Sequence, residues 1–150
     1  MRPTYIRSLS DLDVLSLTVW AEARGESEEG QRAVAYVILN RVVDPKWWSR
    51  EKDDGIPDDT VAAVCLRSKQ FSCWNAGTAS YNELLKPSLL NDAKVLRIKS
   101  LCEKVMKEYP DNDPTHGANH YCTHAVAPRT SWAKNRKPLA SIGNHRFFKD

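Results

Sequence analysis

Residues 20–26, Trp20-Ala21-Glu22-Ala23-Arg24-Gly25-Glu26, close one helical segment and lead into the next. Upstream, Ser10 followed by Asp13 has the spacing of a capping box with Asp in place of Glu. Leu12, Leu15, Val19 and Glu22 then recur at helical spacing on one face. Val14, Leu17 and Ala21 cover a second face, which predicts a helix buried on most sides and ended near Gly25. Downstream, Ser27 is placed as the N-cap of a second helix. Glu28 and Glu29 occupy its first turn, where they complement the dipole. Its apolar stripe is Ala33, Val34, Val37, Ile38 and Val42, and Asp44-Pro45 stops it.

Further along, residues 45–57 read as a loop holding Trp47 and Trp48, and Pro57-Asp58-Asp59-Thr60 opens a short helix with Val61, Val64 and Cys65. Residues 69–75 read as irregular. A long helix is expected from Pro87 or Ser88 to Tyr109, burying Leu89, Ala93, Leu96, Leu101, Val105 and Met106. Residues 118–126 and 141–149 are short aromatic-bearing runs that fit a small antiparallel sheet. The expected architecture is a mainly helical α+β domain, one domain over residues 1–150.

With 41% hydrophobic and 27% charged residues, the composition is that of a globular chain with one core. The formal charge is +3, unevenly spread: residues 115–149 contain no Asp or Glu, but hold Arg129, Lys134, Arg136, Lys137, Arg146 and Lys149. Such a stretch suits either a solvated face or an anionic partner. No run reaches the ~20 apolar residues of a membrane span, and Asp11 and Asp13 interrupt any signal-peptide core. Cys65, Cys73, Cys102 and Cys122 include no CxxC and are expected as free, mostly buried thiols.

Glu22 extends an apolar helix face. Burial raises the pKa of such a carboxyl, which suits a general acid. The competing reading is an ion pair, with Arg24 or Arg41 as partner.

At these residues the chain resembles the SleB/CwlJ-like cell wall hydrolases, a group of spore-cortex-lytic enzymes and phage lysins. AEARGE at 21–26 and EGQRAVAYVILNRV at 29–42 carry the resemblance, joined by KQFSCWN at 69–75, GANHYC at 117–122 and IGNHRFF at 142–148. It extends from about residue 15 to 148. It implies a lysozyme-like, lytic-transglycosylase-like fold and a glycan-strand substrate in bacterial peptidoglycan. The family's catalytic glutamate falls on Glu22. Substrate-binding or cleft roles fall on Glu26, Gln70, Phe71, Trp74, Asn75, His120 and Tyr121, with a structural role as the alternative for Glu26 and His120 and core packing as the alternative for Phe71 and Trp74. No metal or cofactor is implied, and the expected protein is a monomer without nucleic-acid partner or membrane insertion.

Glycoside hydrolysis ordinarily needs two carboxylates, and Glu26, Asp44, Asp53 and Asp54 are the candidates for the second. A lytic transglycosylase needs one, because the sugar's own hydroxyl is the nucleophile. A zinc amidase reading draws on His116, His120, Cys122 and His124, but three ligands from one short strand make poor zinc geometry. A binding module would have no need of Glu22. Compact length and the missing leader suggest a phage endolysin, made in the host cytoplasm and released to the wall by a holin.

Overall fold

The computed structural model describes residues 2–46, 48, 55–67 and 71–150. A short α1 (Thr4–Arg7) precedes α2 (Asp11–Ala23) and α3 (Glu28–Val43). After them come α4 (Val61–Leu66), α5 (Ala79–Leu84) and α6 (Ala93–Glu108). Three strands follow: β1 (His120–Thr123), β2 (Ala140–Ile142) and β3 (His145–Phe148).

α2 is the central helix. Ser10 Oγ accepts the Asp13 N–H at 3.1 Å, so the cap falls where the sequence places it. Every residue from Val14 to Trp20 is buried, as is Ala23. Ser16 and Thr18 are tolerated inside because their hydroxyls donate to the carbonyls of Leu12 and Val14, at 2.6 and 2.7 Å. α3, α4 and α6 pack around α2. α3 starts at Ser27, whose Oγ accepts the Gly30 N–H at 3.3 Å, and buries residues Ala33 through Leu39. Thr60 caps α4 in the same way through Ala63 N–H, at 3.1 Å.

The expected long helix is two pieces. Pro87–Asn91 is a 3-10 turn, and α6 begins afresh at Asp92, whose carboxylate accepts the N–H groups of Lys94 and Val95 at 2.9 and 3.1 Å. That cap breaks the helix, and with it the phase assumed for the buried stripe. The buried positions are Val95, Ile98, Cys102 and Val105, while Leu96, Met106 and Ala93 face solvent. α5, capped by Thr78 through Tyr81 N–H, was not expected from the sequence.

β3 is the middle strand of an antiparallel sheet of order β1-β3-β2. Tyr121 pairs with Phe147, and Ile142 with His145. Phe147 docks the sheet on α3, against Ala33 and Val37. The link from α6 to β1 is tied down by Asp113. Its carboxylate accepts from Thr115 N–H, Thr115 Oγ1–H, Gly117 N–H and Asn40 Nδ2, at 2.8, 2.6, 3.0 and 3.0 Å. Asn40 and Arg41 of α3 then donate to the carbonyls of Ala118 and Asn119, at 2.8 and 2.7 Å. These bonds set β1 beside the C-terminal end of α2.

All four cysteines are free, and Cys65, Cys73 and Cys102 are buried. Burial pushes the thiols of Cys65 and Cys102 up to about 12. Among the described residues no helix is long and apolar enough to cross a membrane.

Candidate active site

Glu22 lies in the last turn of α2 and is half-buried. Tyr121 Oη donates to its Oε1 at 2.9 Å. Burial pushes the carboxyl above its ordinary value, while the Tyr121 hydrogen bond and the charges of His145 and Arg41 pull it back. Both ion pairs foreseen for it fail to form. Arg24 instead reaches Glu83 at 3.6 Å and stacks over Trp20 at 4.1 Å. Arg41 gives its Nε–H to Asn119 and lies against the rings of Trp48 and Phe71, at 5.6 and 5.5 Å. Among the described residues, Glu22 therefore has a neutral hydroxyl as its hydrogen-bond partner and no ion pair.

Glu26, one turn on, is occupied. Its Oε1 accepts the main-chain N–H of Asn144 at 3.0 Å, and its Oε2 accepts the Asn144 amide at 2.9 Å. His145 Nδ1 stands 3.4 Å from Oε1. The Asn144 N–H holds the Glu26 carboxyl below the usual range, against a weaker opposing effect of burial. Of the two roles expected for Glu26 these bonds show the structural one: it clamps the β2–β3 turn. As a candidate second carboxylate it is engaged through both oxygens. Asp44 sits at the exposed end of α3, paired with Lys46 at 3.5 Å. Asp53 and Asp54 lie outside the described residues, as do Gln70 and Trp47.

Three more expected site residues belong to the packing. Trp74 is wholly buried, and its indole N–H donates to Thr18 Oγ1 at 2.8 Å, so no ring face is left for a sugar. Phe71 is buried beneath the Arg41 guanidinium. His120 is buried between Trp48 and Trp132, at ring distances of 5.5 and 5.0 Å, with Nδ1 2.8 Å from Asn119 Oδ1. Burial, with Arg41 nearby, pulls its imidazole down to about 4. Tyr121 and Asn75 are partly exposed.

The histidines at 116, 120 and 124 do not converge. His116 is in a left-handed turn at φ 57°, and His124 binds the Gly143 carbonyl and the Arg146 Nε–H at 3.0 and 2.9 Å. Among the described residues no group of three His, Cys, Asp or Glu is placed to hold a metal.

Two functional neighbours were underread in the sequence. His145 belongs to the IGNHRFF block, yet its place beside Glu22 and Glu26 depends on strand register. Arg41 entered only as an ion-pair partner.

The family model that describes cell wall hydrolases matches residues 25–148. The chain belongs to the cell wall hydrolase family. The spore cortex-lytic enzyme of Oceanobacillus iheyensis is 30% identical over 142 residues, which is 95% of this chain and 42% of that protein. The crystal structure of the catalytic domain of the Bacillus cereus SleB protein is 28% identical, with a TM-score of 0.62 over 93% of this chain and 89% of that one. The catalytic domain of the germination-specific lytic transglycosylase SleB from Bacillus anthracis is 27% identical, with a TM-score of 0.64 over 99% of this chain and 100% of that one. The fold is that of these cell wall hydrolase domains, lysozyme-like with a small sheet. The chain spans less than half the length of the curated relatives it matches. Those relatives are spore cortex-lytic enzymes and lend no support to a phage endolysin released by a holin.

Proposed function

We propose that this chain cleaves the glycan strands of peptidoglycan at the MurNAc–GlcNAc bond as a lytic transglycosylase, with Glu22 as acid and then base. The carrying observation is the Glu22 carboxyl itself: half-buried, raised by burial and held through one oxygen by Tyr121. Such a group keeps a proton further toward neutral pH than an exposed glutamate, as a general acid must.

Tyr121 fixes Oε1, leaving Oε2 to carry the proton. That proton passes to the glycosidic oxygen as the C1–O bond breaks. The MurNAc C6 hydroxyl then attacks C1, and its proton returns to the Glu22 carboxylate. The product is a 1,6-anhydro end, no water is consumed and Glu22 is restored. A single reacting carboxyl fits the capture of Glu26 by Asn144. It fits also the similarity to a lytic transglycosylase domain.

Tyr121, Asn75 and Gln70 are assigned to sugar binding, and Glu22, Tyr121 and His145 come from one chain, which fits a unit that acts as a monomer. The basic residues of the C-terminal third draw it to an anionic wall with salt-sensitive strength. Mass spectrometry of digested sacculi tests the reaction. Anhydro-MurNAc ends are expected. Reducing MurNAc ends would establish hydrolysis and a second carboxylate instead.

A further inference from the structure

Three side chains form a continuous row that ends on the Glu22 carboxyl: Glu26, His145 and Tyr121. The row is anchored at Glu26. Both of its oxygens are held by Asn144, and Gly143 gives it room, since a Cβ there would stand 2.5 Å from Glu26 Oε1. His145 comes next. Among the described residues its buried Nδ1 has no hydrogen-bond partner, and it stands 3.4 Å from that fixed oxygen. An unpartnered buried nitrogen costs free energy, and a fixed carboxylate oxygen facing it offsets part of that cost. The His145 ring also meets the Tyr121 ring edge-on, at 5.1 Å and 89°. Tyr121 completes the row by donating to Glu22.

We propose that His145 is a positioning residue for Glu22: set against the clamped Glu26, its ring orients Tyr121, whose hydroxyl holds the Glu22 carboxyl. The proposal rests on Glu22 being the reacting carboxyl. In an acid-then-base cycle Glu22 is ionised midway, within a site that disfavours charge. A Tyr121 hydroxyl held in one orientation keeps its hydrogen bond to that carboxylate. His145 faces Glu22 from β3, Glu26 from the α2–α3 link and Tyr121 from β1. Glu22 faces in addition Arg41 of α3, Cys65 of α4 and Cys73.

The test is a carbon-13 NMR titration of the Glu22 carboxyl in the whole chain and in the variants His145→Gln and His145→Phe, the second keeping a ring against Tyr121. The Glu22 midpoint is expected to move up in His145→Gln, with kcat reduced and KM little changed, and to stay at the parent's in His145→Phe. A midpoint unmoved in His145→Gln, or moved as far in His145→Phe, overturns the proposal. Should neither variant fold, Glu26→Gln serves: with the anchor of His145 weakened the Glu22 midpoint moves up, and an unmoved midpoint overturns the proposal. The titration needs no turnover, so it stands apart from the function reading. That reading fails on its own if Glu22→Gln still cleaves sacculi fully.

Discussion

Tyr121 and Glu22, 99 positions apart in the chain, meet through one hydrogen bond of 2.9 Å that joins the sheet to the central helix. The bond favours the ionised carboxyl, while burial favours the neutral one. Burial has the larger effect, and Glu22 stays above its ordinary pKa.

Removing the hydroxyl in Tyr121→Phe leaves burial less opposed, so the Glu22 pKa rises further. Activity that needs protonated Glu22 falls as pH rises through that value. In Tyr121→Phe this alkaline limb is expected at higher pH than in the parent, read from kcat/KM against pH.

Glu22→Gln keeps an acceptor for Tyr121 but has no proton to give. A loss of about 100-fold or more in sacculus cleavage is expected. Stability should move the other way. A raised folded-state pKa means that stability is lost as pH rises from the ordinary carboxyl range through the folded value. The variant escapes that loss. Its Tm is expected above the parent's at pH 7, with the gain gone below about pH 4, where both states of the parent bind the proton.

Glu26 has the opposite sign. Its depressed pKa adds stability above the ordinary carboxyl range, lost as pH falls through the folded value. Glu26→Gln is expected to lower Tm at neutral pH and to lower it less in acid. Gly143→Ala attacks the same clamp, placing a Cβ against Glu26 at φ 56°. The left-handed backbone alone costs about 1–2 kcal/mol, which denaturant unfolding would register.

Trp74→Ala should behave as a core mutation. A loss of about 3–5 kcal/mol is expected from the cavity, together with the orphaned Thr18 contact. Any activity lost should follow the folded fraction, with KM unchanged in the folded protein. A raised KM at full folding would return Trp74 to the sugar.

Much of the fold was legible because its signals are local. Ser10 and Ser27 cap where their spacing says they should, while the short helix expected to open at Pro57 begins at Val61 under a Thr60 cap. The error at α6 came from reading Leu89 to Met106 as one phase. Asp92 is a strong cap, and restarting the helix there rotates Leu96 and Met106 outward. The site was legible as motif blocks but not as geometry. Aromatic residues in those blocks serve both cleft and core, and sequence does not separate them. Only the packing shows that Trp74 turns its N–H inward to Thr18 while Tyr121 turns its hydroxyl to Glu22. The pairing of Glu26 with Asn144 spans 118 positions and leaves no periodic trace.

The sheet order also has a consequence for synthesis. β3 is the middle strand, yet it follows β1 and β2 in the chain. Until residues 145–148 clear the ribosome, β1 and β2 have no neighbour to pair with and Glu26 no turn to clamp. A nascent chain with its helices already packed therefore carries Glu22 without its supports. Those supports arrive together, with residues 145–148.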